Sequence, residues 1–75
     1  MPNENNTNLP LHPTIRVCLS ECDGNVYAIL GTIRRAVLRS KLAERREVWE
    51  AFHAEATQGD YDHVMATAFR WFEID

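Results

Sequence analysis

Two short runs of alternating apolar and polar residues stand at opposite ends of the foldable sequence, and nothing between them has the period of a strand. Ile15, Val17 and Leu19 alternate with Arg16, Cys18 and Ser20, which predicts a half-buried strand over residues 14–20. Phe72 and Ile74 share one face of a second short run over residues 71–75. Two strands alone make a marginal sheet in water. They must pair with each other and pack on what lies between, or an open edge must pair with a second copy of the chain.

What lies between is helical in period. Val26, Ile29, Leu30, Ile33 and Val37 fall at i, i+3, i+4, i+7 and i+11, one apolar stripe of a helix from Val26 to about Ser40. Gly24 suits a turn, and Asp23 or Asn25 suits the helix cap. Gly31 interrupts this helix at a cost of about 1 kcal/mol relative to Ala, and close packing against another backbone is the expected reason. A second helix is predicted from about Ala43 to Thr57, with Val48, Phe52 and Ala56 on one side and Trp49 beside them. No Gly or Pro enforces a break at Ser40-Lys41-Leu42, so one longer helix competes with two. Gly59 is expected as a left-handed helix stop. Asp60 is the expected cap of a third helix from Tyr61 to about Arg70, with Tyr61, Val64, Met65, Ala68 and Trp71 on its apolar face. The expected fold is a small α+β domain of order β-α-α-α-β.

Residues 1–12, rich in Asn and Pro, read as a disordered tail, leaving residues 13–75 as a single domain. A folded part of about 60 residues is near the lower limit for a self-sufficient core, so a homodimer completing the sheet is expected. No stretch approaches the roughly 20 apolar residues of a membrane span, and the first residues lack the pattern of a secretory signal. Cys18 and Cys22 therefore read as reduced thiols of a cytoplasmic protein.

The net charge of −3 conceals a separation. Arg34, Arg35, Arg39, Lys41, Arg45 and Arg46 stand against Glu44 alone, giving +5 over residues 34–46. Seven acids stand against Arg70 over residues 47–75, giving −6. The basic residues form a candidate partner-binding patch for an acidic protein surface or for nucleic acid. They also suit a solvated helix end, with Arg46 pairing with Glu50. Trp49 and Phe69 are candidate aromatic anchors, since aromatic residues and Arg dominate binding hot spots; the core is the alternative place for both.

The remaining chemistry is sparse. Asp60, Asp62 and His63 are explained more simply as a cap, a helix-dipole partner and a half-buried or surface imidazole than as a general acid-base set. Cys18, Cys22, His53 and His63 lack zinc-ligand spacing. No phosphate-binding glycine fingerprint is present. No catalytic residue, metal or cofactor is expected.

The motifs Asp23-Gly24-Asn25, Ile29-Leu30-Gly31 with Arg35-Ala36, Glu55-Ala56-Thr57, Gly59-Asp60-Tyr61-Asp62-His63 and Trp71 together resemble a group of small uncharacterised proteins of phages and other bacterial mobile elements. The resemblance spans about residues 14–75. It departs from the group's pattern at Ser40-Lys41-Leu42, where the group has a Gly-containing break. It implies no catalytic residues. It implies a non-enzymatic protein in the bacterial cytoplasm that binds a host or phage protein, an anti-defence inhibitor of the anti-CRISPR type being the sharpest form. A nucleic-acid-binding regulator using residues 34–46 is the alternative.

Overall fold

The computed structural model describes residues 10–20 and 24–75. The expected tail over residues 1–9 and the turn residues Glu21, Cys22 and Asp23 lie outside them. The element order is β1 (His12–Val17), α1 (Val26–Arg39), α2 (Arg45–Ala56), α3 (Tyr61–Trp71) and β2 (Phe72–Ile74), the predicted α+β arrangement. No helix is long and apolar enough to cross a membrane.

The two strands pair with each other, in parallel. Parallel neighbours need a long crossover connection, and here the three helices supply it. The pairing is irregular: His12 stands opposite Phe72 and Arg16 opposite Glu73, so three residues of β1 fit between adjacent positions of β2. Pro13 lies in that stretch and has no N–H to give a ladder, which is why prolines in strands sit at edges and bulges.

β1 begins and ends earlier than its alternation suggests. Cys18, Leu19 and Ser20 lie past its end, and the boundary drawn after residue 12 is too late. The His12 ring lies against Trp71 and Phe72, with centroids 5.7 and 6.2 Å apart. The Leu11 N–H donates to the Arg70 carbonyl at 3.0 Å.

The inner face of the sheet carries Ile15, Val17 and Phe72 into a core completed by Ile29, Ile33 and Val37 of α1, Val48, Phe52 and Ala56 of α2, and Val64 and Ala68 of α3. Thr67 is also buried, its hydroxyl donating to the His63 carbonyl at 2.7 Å. Tyr61, expected on the apolar face of α3, is instead exposed.

The starts of α1 and α3 follow from short polar side chains. The Asn25 carboxamide oxygen accepts from the Tyr27 and Ala28 N–H groups at 2.8 and 3.4 Å. Gly24 before it has φ +83°, a region that costs a side chain but not glycine. Asn25→Ala is expected to cost about 1 kcal/mol of stability, read as a lower urea midpoint with an unchanged slope.

α1 and α2 are separate helices. Ser40 is extended, and its hydroxyl and N–H both donate to the Val37 carbonyl, at 2.6 and 3.1 Å. That occupies an acceptor the next turn would need. α2 starts at Arg45, two residues after the predicted Ala43.

The α2–α3 turn is one interlocked unit. Asp60 accepts from the His63 N–H at 3.1 Å, capping α3. His63 Nε2 reaches back to the Glu55 carbonyl at 2.8 Å, which also accepts from the Gln58 N–H at 3.2 Å, so the side chain of α3 ties onto the end of α2. The Thr57 hydroxyl donates to the His53 carbonyl at 2.7 Å. Gly59 is not a left-handed stop: Gly24 is the glycine with positive φ among the described residues. A Cβ on Gly59 would instead lie 2.7 Å from His63 Cβ. The glycine makes room for the returning histidine.

Candidate partner-binding site

The charged run of residues 34–46 spans the end of α1, the connection and the start of α2, and the fold divides it. Arg34, Leu38, Arg46, Trp49 and Glu50 line a groove of about 270 Å³ between the two helices. Leu38, Ala43, Arg45, Arg46 and Glu47 line a neighbouring hollow of about 440 Å³. Leu38 and Arg46 belong to both, which joins them into one concavity. Lys41 borders a separate hollow with Thr14, Ser40 and Leu42. Arg35 and Arg39 line none of these; Arg35 stands about 100° around α1 from Arg34. The six basic residues therefore form no single patch. Arg34, Arg45 and Arg46 line one concavity, and Arg35 and Arg39 do not line it.

The two aromatic candidates separate as well. Trp49 is half-buried in the groove, its ring 5.9 Å from Phe52 and 5.2 Å from His53. It lines the groove with Arg34 and Arg46 rather than projecting as an exposed anchor. Phe69 is 57% exposed on α3 and borders none of these hollows.

The start of α2 carries mixed charge, with Glu47 placed as the helix dipole favours and two arginines placed against it. Arg45 and Arg46 occupy the first turn of α2, where the helix dipole favours acids. The residue before them, Glu44, makes no side-chain cap. Arg45 recovers a little by donating from its guanidinium to the Leu42 carbonyl at 3.1 Å. The Arg46–Glu50 pair is not made; the ion pair found among the described residues joins Arg70 to Glu55. Local rules broken in this way concentrate at sites with a task. Three arginines line this concavity beside Glu47 and Glu50 at the positive end of α2, and what the arginines can do there is attract and hold an anionic group.

The other chemical candidates are committed elsewhere. Asp60 is engaged by the His63 N–H and His63 by the Glu55 carbonyl. Cys18 is exposed beside Ser20, 3.4 Å from its hydroxyl, and Cys22 lies outside the described residues. Among the described residues no three His, Cys, Asp or Glu side chains gather closely enough to hold a metal ion.

Sequence reasoning passed over Tyr27, which is 82% exposed. The signal was available: Tyr27 follows Val26 directly, so the helical period turns it away from the apolar stripe. Comparison of the chain with family models, with curated proteins and with solved structures finds no match.

Proposed function

We propose that the chain is a small non-enzymatic interaction protein that docks a carboxylate-rich protein surface into the concavity between α1 and α2. The observation that carries this reading is that Arg34, Arg46 and Trp49 line one groove, with Arg45 in the adjoining hollow at the positive end of α2. Arg pairs with carboxylates in bidentate geometry, and a rigid indole adds apolar area beside it. Glu47 and Glu50 stand on the same walls and repel a continuous phosphate backbone, while a partner with mixed charges can answer them with its own Lys or Arg. The resemblance to phage and mobile-element proteins supports a host or phage protein as the partner and an anti-defence inhibitor as the role.

Nucleic acid is the second reading, favoured by an indole in a groove also lined by two arginines, a combination that suits stacking of single-stranded bases. Two measurements separate them. Immobilised wild-type protein is expected to retain a protein from bacterial lysate, and Arg34→Glu/Arg46→Glu to retain at least about tenfold less of it. Labelled single-stranded and duplex DNA are expected not to bind at about 50 mM salt, where phosphate contacts are strong. Equal retention by both proteins sinks the site. DNA binding that collapses as salt rises transfers the site to nucleic acid.

A further inference from the structure

Gly31 occupies the middle of α1, and nothing inside the chain calls for a glycine there. A Cβ at that position would meet no atom within 4 Å, so the expected close packing against another backbone is not made within the chain. Its φ is not positive, since among the described residues only Gly24 has that conformation. At 100° per residue, Tyr27, Gly31 and Arg35 form one ridge at i, i+4 and i+8. The ridge lies roughly opposite the buried stripe of Ile29, Ile33 and Val37. Tyr27 is 82% exposed, and Arg35 is exposed as well. Beside the ridge, Tyr27, Leu30, Tyr61 and Val64 line a mainly apolar groove with Asp60 at its rim. A fully exposed tyrosine, a helix-weakening glycine and an apolar groove in one place leave α1 without a partner on this side.

We infer that α1 is the interface of a homodimer, two copies packing antiparallel with Gly31 at the two-fold axis. The charges of the chain select a second copy as the occupant. The first half of α1 carries no basic residue, and the acids Asp60 and Asp62 stand at the neighbouring start of α3. The second half carries Arg35 and Arg39 on its outward side. Antiparallel pairing lays the basic half of each copy over the acidic end of the other. It sets Tyr27 opposite Arg35 of the partner copy, because both stand four residues from the axis, and an arginine over a tyrosine ring is attractive. With no side chain at Gly31, the two backbones approach closely at the crossing point. The contact is self-complementary, as a two-fold interface must be. It adjoins the proposed partner site: Arg45, Arg46 and Trp49 stand on α2, whereas Arg34 and Leu38, three and seven residues from Gly31, border both the contact and the concavity.

Sedimentation equilibrium from about 1 to about 500 µM tests this, the range suited to an interface of one helix face per copy. Wild type is expected to dimerise within it. Gly31→Ala is expected to weaken the dimer at least about tenfold while raising the urea midpoint measured at low concentration, because Ala is the better helix former. Arg35→Glu is expected to weaken the dimer with the midpoint unchanged. Gly31→Leu is expected to give a folded monomer, its fold checked by circular dichroism. A wild type that stays monomeric throughout overturns the inference. So does a dimer that keeps its affinity in Gly31→Ala and Arg35→Glu, which would place the contact elsewhere, such as the open edge of β1.

Discussion

Phe52→Ala is expected to remove most of the chain's stability and leave it marginally folded at room temperature. Phe52 is fully buried on α2, and its ring lies 5.0 Å from Phe72 and 5.8 Å edge-on from Trp71. It is the side chain through which α2 reaches the end of α3 and the second strand. Truncating a buried Phe costs about 3–5 kcal/mol, from lost transfer energy and from the cavity left behind. A domain of this size is expected to hold only about 5 kcal/mol in total. Phe69→Ala makes the same chemical change at a position 57% exposed, and is expected to cost less than about 1 kcal/mol. Urea unfolding followed by tryptophan fluorescence compares them. Similar midpoints for the two variants would show that the aromatic cluster is not the centre of the core.

Phe52 also marks how far the sequence could be read. Val48, Phe52 and Ala56 are spaced by four, so the buried face of α2 was legible, as were the stripe of α1 and the caps at Asn25 and Asp60. Each is a local rule, with a period or a side chain that answers the backbone a few residues on. The misreadings arose where a distant contact decides the outcome. Pro13 and the polar residues before it suggested a tail; His12 is nevertheless in the strand because Trp71 and Phe72, at the other end of the chain, lie against it. The pairing of β1 with β2 rather than with another copy was not legible for the same reason. The basic run was counted along the chain, whereas the helix turns Arg34 and Arg35 about 100° apart, so only part of it could reach one concavity. Gly59 is the clearer case: its place before the third helix suggests a left-handed stop, whereas a side chain four residues on, His63, is what leaves no room for a Cβ there.

Gly59→Ala is expected to destabilise the chain by about 1–3 kcal/mol, the usual cost of forcing a group into filled space. The cause is steric. The added methyl would lie 2.7 Å from His63 Cβ and 2.8 Å from its Cγ, and neither atom is the free end of a side chain. His63 cannot swing aside cheaply, because its Nε2 is held by the Glu55 carbonyl and its N–H by Asp60. Relief of the clash therefore strains both helix termini at once. A double-mutant cycle with His63→Gly isolates the effect. In that background all three atoms near the new methyl are gone, and Gly59→Ala is expected to be neutral within about 0.5 kcal/mol. His63→Ala, which keeps the nearest atom, is expected to relieve only part of the cost. An equal cost of Gly59→Ala in all three backgrounds would place the requirement in the backbone of the turn and remove His63 from it. The measurement also bears on function: if Gly59, Asp60 and His63 are spent on joining α2 to α3, their substitution should alter stability while leaving the affinity of the folded protein at the α1–α2 concavity unchanged.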